Sequence, residues 1–107
     1  MIYCFDIDGT ICTTNCQYED AQPFTEVIEK INKLYDKGHF ISMCTSRGDR
    51  SGTDWTELTE KQLKQWGVKY TELRMQKPGA EIYIDDRCIN IKDWCKDNDL
   101  KYGVNDE

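Results

Sequence analysis

Apolar residues along this chain alternate between short continuous runs and stripes with helical spacing. Residues 2–5 are β-branched, aromatic and apolar, which predicts a short buried strand. After Pro23, apolar residues recur at intervals of three and four, which predicts a helix that ends at Gly38. Its apolar face comprises Phe24, Val27, Ile28, Ile31, Leu34 and Tyr35. The chain therefore opens with a strand–helix unit of an α/β protein.

The same alternation continues to residue 96. It predicts a second strand at residues 40–44, a second helix capped by Thr53 or Asp54, a third strand at residues 68–73, a fourth at residues 81–84 and a third helix at residues 91–96. The second helix has an apolar stripe of Trp55, Leu58, Leu63 and Trp66. This order of elements predicts a parallel sheet covered by helices.

Size and charge narrow the class of protein. The 107 residues suffice for one domain, expected to span residues 1–107, and the apolar content of 38% fits a compact fold. A net charge of −6 argues against a nucleic-acid partner, because phosphates are neutralised by clustered Lys and Arg. No apolar run reaches the roughly 18 residues of a membrane span, and no secretion signal is visible. We therefore expect a cytoplasmic protein without a membrane partner.

Six cysteines raise the questions of zinc and of disulfides. There is no Cys-x-x-Cys pair and only one histidine, His39, so a zinc site is not favoured. Cys4 and Cys44 lie within strand segments and are interpreted as small core residues. Free thiols are expected throughout, since disulfides are rare in a reducing compartment.

Four polar clusters fall where one site could collect them. Asp6 and Asp8 follow the first predicted strand, and Thr45, Ser46 and Arg47 follow the second. Lys77 precedes the fourth, and Asp85 and Asp86 follow it. Parallel sheets place their chemistry beyond the carboxyl ends of the strands, where these clusters can meet. Neighbouring carboxylates are costly to desolvate, so such a site holds a cation, carries chemistry, or both. The alternative for Asp6 and Asp8 alone is a surface Asp-x-Asp-Gly turn.

The four clusters, in this order, resemble the motifs of the haloacid dehalogenase-like (HAD) phosphatases. Thr45-Ser46-Arg47, Lys77-Pro78 and the run from Tyr83 to Arg87 are most similar to small capless HAD proteins of capsular polysaccharide biosynthesis. The Thr-x-Arg and Asp-Asp-Arg features also resemble the phosphatase domain of polynucleotide kinase-phosphatases. The resemblance implies a Rossmann-like, three-layer α/β/α parallel sheet without a cap domain.

The resemblance also implies roles for individual residues. Asp6 would attack phosphorus to form an aspartyl-phosphate, while Asp8 would protonate the leaving alkoxide and then deprotonate water. Thr45 and Lys77 would complete the catalytic set. Mg²⁺ would be bound by Asp6, Asp8, Asp85 and Asp86, and it would offset the repulsion between these carboxylates and a phosphate. Phosphate or substrate would contact Gly9, Thr10, Ser46, Arg47 and Arg87.

The substrate class stays open at this level. The resemblance favours a phosphomonoesterase acting on a small phosphorylated sugar or polyol. The alternatives are a nucleotide or polynucleotide end phosphatase, and a HAD-like phosphate-binding module without turnover. The alternative role for Arg47 and Arg87 is in surface ion pairs, and for Arg87 the two interpretations carry equal weight. Tyr18 and Asn15 are candidates for substrate contact. Without a cap, the site would be shaped by residues 11–22 and 48–53 or covered by a second subunit in a homo-oligomer.

Overall fold

The computed structural model describes residues 1–105 and shows a compact α/β protein; the domain end predicted at residue 107 lies outside the described residues. Three parallel strands, β1 (Ile2–Asp6), β2 (Phe40–Cys44) and β3 (Glu72–Arg74), pair in the order β1-β2-β3. Three helices, α1 (Thr25–Asp36), α2 (Thr56–Gln65) and α3 (Ile91–Asp97), complete the fold. The predicted α/β class is therefore confirmed.

The predicted apolar face of α1 forms much of the core. Five of its six residues are buried, namely Phe24, Val27, Ile28, Ile31 and Leu34. Tyr35, the sixth, is 39% exposed because it lies at the edge of that face. The helix ends as predicted, with Gly38 at a φ of +92°, a left-handed conformation that costs glycine little.

The helices pack against one face of the sheet. Because side chains alternate along a strand, Tyr3 and Phe5 of β1 share a face with their register partners Ile41 and Met43. These residues join the single apolar cluster of the core, and the Phe5 ring meets Trp94 of α3 edge-on at 5.4 Å. The opposite face carries Cys4, Ser42 and Cys44, so Asp6 at the end of β1 belongs to that second face.

The fourth predicted strand does not form. Residues 81–84 have no regular structure, and Ile82 and Ile84 are 76% and 96% exposed. The Tyr83 hydroxyl instead donates to the Pro78 carbonyl and accepts from the Ala80 amide at 3.2 Å, which folds the segment back on itself. Within residues 1–105, β1 is consequently an edge strand. The third strand is also shorter than predicted, since only Glu72–Arg74 pairs with β2.

The prediction of free thiols throughout is wrong for Cys4 and Cys44, which form a disulfide. The two residues lie on one face of adjacent strands, offset by two positions in register, with their Cα atoms 6.5 Å apart. That separation is within the range that a disulfide spans. Their interpretation as core residues is also wrong, because their face of the sheet is opposite to the helices. Cys12 and Cys95 are buried free thiols, whereas Cys16 and Cys88 are exposed.

The buried face of α2 is more polar than its sequence suggests. Thr59, Gln62 and Leu63 are buried, whereas Leu58 is only half-buried. The helix begins at Thr56, and the Asp54 carboxylate accepts a hydrogen bond from the Thr56 amide at 2.9 Å. The Thr56 side chain, and then this amide, lower the pKa of Asp54. No helix within residues 1–105 is both long and apolar enough to cross a membrane.

Candidate active site

Asp6 and Lys77 meet at the carboxyl end of β1. The Asp6 Oδ1 atom lies 3.6 Å from Lys77 Nζ, and both side chains keep about a third or less of their surface exposed, at 33% and 26%. Burial raises the pKa of Asp6 above its usual range, while the Lys77 ammonium opposes that rise. The Lys77 ammonium also lies over the Tyr83 ring, 4.4 Å from its centroid. A partly desolvated carboxylate with one adjacent cation is a suitable arrangement for a nucleophile.

Asp8 is held by a buried arginine. Arg47 Nε donates to Asp8 Oδ2 at 2.9 Å, and Nη2 donates to Asp8 Oδ1 at 2.8 Å. The Arg47 side chain is fully buried, whereas that of Asp8 is 21% exposed. Such a two-pronged, charge-assisted pair is among the stronger polar contacts in proteins. In this structure the guanidinium therefore binds Asp8, and the contact of Arg47 with phosphate stays a prediction.

The remaining terminal nitrogen of Arg47 binds α2. Nη1 donates to Thr59 Oγ1 at 3.1 Å and to Gln62 Oε1 at 2.6 Å. The Gln62 amide in turn donates from Nε2 to the Tyr18 carbonyl at 2.6 Å, and the Tyr18 ring lies 4.7 Å from the guanidinium carbon. We call Asp8, Arg47, Thr59, Gln62 and Tyr18 the arginine network. It fixes the short 3-10 helix Tyr18–Asp20 beside Asp8.

Thr59 and Gln62 are site residues that the sequence analysis missed. The signal was present, because both lie on the same side of α2 as Leu63, one turn apart and on an otherwise apolar face. A glutamine on such a face needs partners for both amide atoms. An arginine predicted at the adjacent strand end is one such partner.

Thr45 links the ends of β2 and of the segment that carries Lys77. Its side chain is buried, and its Oγ1 accepts from the Arg47 amide at 3.1 Å. Its carbonyl accepts from the Lys77 amide at 3.2 Å, which holds Lys77 near β1. Ser46 is half-buried, and its carbonyl accepts from the Asp49 amide at 2.9 Å. Thr45 and Lys77 thus lie at the same edge of the sheet as Asp6.

The loop after β1 is tightly folded around Gly9. Gly9 has a φ of +80°, its amide donates to the Cys12 carbonyl, and its carbonyl accepts from the Tyr102 hydroxyl at 2.6 Å. The Thr10 amide donates to the Ile7 carbonyl at 3.0 Å. The Cys12 thiol lies 3.6 Å from Asp8 Oδ1, and burial together with that carboxylate raises its pKa to about 12. Cys12 is therefore a neutral thiol.

The second acidic pair, Asp85 and Asp86, lies in an exposed segment without regular structure. Asp85, Asp86 and Arg87 are exposed, and Asp85 Oδ1 accepts from the Arg87 amide at 3.0 Å. That bond lowers the pKa of Asp85, and Asp86 adds to the effect. Among residues 1–105, no three His, Cys, Asp or Glu side chains come together as a metal-binding group. The four predicted Mg²⁺ ligands are therefore not gathered into one group among the described residues.

An open cavity of about 280 Å³ adjoins Lys77. It is lined by the Cys4–Cys44 disulfide and by Arg74, Gln76 and Lys77, on the sheet face opposite to the helices. The loop that includes Asp49 and Arg50 is bound to the segment that follows β3. Arg50 donates to the Gly79 carbonyl, and Asp49 accepts from the Gly79 amide at 2.8 Å. Asn15 is exposed in the first long loop, with a φ of +62°.

Comparison with known proteins finds similar folds. No protein-family model and no curated protein sequence matches the chain. An MCSG structural-genomics target from Vibrio cholerae matches with a TM-score of 0.79 and 25% identity, over 87% of this chain and 85% of that one. A chain in the structure of a Pnkp1/Rnl/Hen1 complex matches with a TM-score of 0.57 and 20% identity, over 95% of this chain but only 35% of that one. The second likeness concerns the fold alone.

Proposed function

We propose that this protein is a HAD-like phosphomonoesterase that works through an aspartyl-phosphate at Asp6. The observation that carries the proposal is the contact of Asp6 with Lys77, at 3.6 Å, beside the buried Asp8–Arg47 pair. A carboxylate nucleophile needs a nearby cation to approach a phosphate, and Lys77 supplies one. The likeness to the two solved structures is consistent with a phosphatase-like fold.

In the proposed reaction an Asp6 oxygen attacks phosphorus, and the bond from phosphorus to the ester oxygen breaks. Asp8 gives its proton to the leaving alkoxide. The charged Asp8 then takes a proton from water, which attacks the aspartyl-phosphate and releases inorganic phosphate and Asp6. The structure holds Asp8 in an ion pair, the form required for the second step. For the first step, the proton enters with the substrate as the monoanion of the phosphate ester, and it passes through Asp8 to the leaving oxygen.

Dependence on Mg²⁺ is part of the proposal, although the four carboxylates are apart in this structure. β1 has an open edge within residues 1–105, and the apolar residues 81–84 are exposed. We propose that these residues can pair with β1 as a fourth parallel strand, giving the three-layer Rossmann-like sheet of the family. Asp85 and Asp86 would then follow the strand adjacent to Asp6, at the same edge of the sheet.

The proposed substrate is a small phosphorylated sugar or polyol. The cavity beside Lys77 is open and of modest size, and the chain carries a net charge of −6. An extended nucleic-acid groove would be lined with basic residues and aromatic platforms. A polynucleotide end phosphatase is therefore the second candidate rather than the first.

A hydrolysis screen tests the proposal. Sugar phosphates, polyol phosphates, nucleotides and 3′-phosphorylated oligonucleotides are incubated with the protein and with Asp6→Asn, each with Mg²⁺ and with EDTA. We expect Mg²⁺-dependent release of phosphate that falls by about 10³-fold in Asp6→Asn, since the covalent step is lost. Equal rates for the two proteins would refute the enzyme and favour a binding module. A preference for oligonucleotides would overturn the sugar assignment.

A further inference from the structure

Gln62 occupies an unusual position for a polar residue. It is 5% exposed, it lies on the buried face of α2, and both ends of its amide are bonded. A buried amide is costly unless both of its ends are hydrogen-bonded, whereas an apolar side chain would pack at this position without any such requirement. The partners of Gln62 belong to two other parts of the site, the Arg47 guanidinium and the Tyr18 carbonyl. The contacts therefore connect α2 with two loops at the site.

We propose that Gln62 is a positioning residue, whose amide holds Arg47 on Asp8 and fixes the Tyr18 segment beside them. This inference deepens the proposed function and rests on it for its kinetic consequence. Gln62 touches neither the cavity beside Lys77 nor Asp6, so it acts only through Arg47 and Tyr18.

The geometry explains why Arg47 needs such support. Its guanidinium is planar, and its orientation about the Asp8 contact is set by whatever binds Nη1. Gln62 Oε1 is the closer acceptor at 2.6 Å, and Thr59 Oγ1 is the other at 3.1 Å. The Tyr18 ring, 4.7 Å away, covers the guanidinium from one side. These contacts fix the plane of the guanidinium, and its two bonds to Asp8 fix the plane of the carboxylate in turn.

A charge placed at Gln62 tests the proposal with a matched control. Gln62→Glu keeps an acceptor for Arg47 but adds a carboxylate that competes with Asp8, and it loses the donor to Tyr18. Gln65→Glu makes the same change of charge on the exposed side of the same helix. Gln62→Met, of similar shape but without hydrogen bonds, serves as a second variant in case the charged one does not fold.

The dependence of kcat/KM on the leaving group distinguishes a positioning role for Gln62 from a purely structural one. An alkyl phosphate needs a proton on its leaving oxygen, whereas p-nitrophenolate departs without one. We expect Gln62→Glu and Gln62→Met to lower kcat/KM for glycerol phosphate by about tenfold or more, with less than about threefold change for p-nitrophenyl phosphate. Gln65→Glu should match wild type on both esters. Equal losses on the two esters, or no loss on either, would overturn the proposal.

Side-chain NMR tests the contact without any turnover. The Nε–Hε resonance of Arg47 reports the bond to Asp8 Oδ2, which is 2.9 Å long. It should shift in Gln62→Glu and in Gln62→Met but not in Gln65→Glu. An unmoved resonance in both Gln62 variants would refute the positioning role. If wild type hydrolyses no ester, the proposed function fails, and this measurement alone decides whether Gln62 sets the geometry of Arg47.

Discussion

Asp8 and Asp85, two of the predicted site residues, are held by different kinds of contact. Asp8 contacts a fully buried arginine, which is itself bonded to two buried side chains of α2. Asp85 lies in an exposed segment and accepts a hydrogen bond from the amide of its near neighbour Arg87. The difference shows that the buried arginine network fixes the position of Asp8 within the fold. The position of Asp85 depends instead on what residues 81–84 pair with. Four experiments sharpen this comparison.

The largest effect is expected from Arg47→Met. Removal of the guanidinium leaves Asp8, Thr59 and Gln62 without their partner, and breaking such a buried pair costs about 3 kcal/mol of unfolding free energy. Urea unfolding measures the change. Arg50→Met is the control, because the Arg50 side chain is 83% exposed and should change stability little. Similar losses in the two variants would show that the arginine network does not stabilise the fold.

The two carboxylates can be compared directly by Asp8→Asn and Asp85→Asn. Asp8→Asn removes a charged acceptor from two bonds to Arg47 and should cost about 2 kcal/mol. Asp85→Asn should change the free energy of unfolding by less than about 0.5 kcal/mol, as for an exposed surface position. Both are measured in EDTA by urea unfolding. A larger cost for Asp85→Asn would mean that the second pair is also built into the fold.

Hydrogen exchange tests the proposed fourth strand. In EDTA the amides of residues 82–84 should exchange rapidly, because the segment is exposed and forms no ladder. With Mg²⁺ and inorganic phosphate we expect their exchange to slow by about tenfold or more as they pair with β1. The amides of Ile41 and Met43, already in the sheet, serve as the internal reference. Unchanged exchange at residues 82–84 would contradict pairing with β1.

A small gain in stability, rather than a loss, is expected from a change at Asp6. Burial raises its pKa more than Lys77 lowers it, so the charged form is disfavoured in the folded state. Asp6→Asn should therefore stabilise the protein at pH 7 by less than about 1 kcal/mol while it lowers the proposed activity by about 10³-fold. The gain should shrink as the pH falls through the raised pKa of folded Asp6, and it should vanish below the ordinary pKa of an aspartate, where Asp6 is protonated in both states. A loss of stability in Asp6→Asn at pH 7 would show that the pairing with Lys77 outweighs burial.

Periodic features of this sequence predicted its structure well. The apolar face of α1 and the apolar runs of β1 and β2 place those elements, because burial of a continuous face determines them. The run at residues 81–84 looked the same but does not form a strand. Such a run becomes a strand only if a neighbouring strand pairs with it, and Tyr83 binds Pro78 and Ala80 instead. Pairing over a long separation is not contained in local sequence.

The site was predicted unevenly for a similar reason. Asp6 and Thr45 lie at one edge of the sheet, which follows from their places at strand ends. Lys77 joins them through its contact with Asp6 and the bond of its amide to the Thr45 carbonyl. The partner of Arg47 did not follow, because a loop arginine can bind phosphate, a carboxylate or solvent. Its choice of Asp8 depends on Thr59 and Gln62, which approach it only once α2 has packed.

The bond from the Tyr102 hydroxyl to the Gly9 carbonyl joins residues 93 positions apart. It has a practical consequence for anyone who expresses this protein. A truncation that removes Tyr102 would take this bond away from the turn between Asp6 and Cys12, so a shortened version of the protein should retain residue 102.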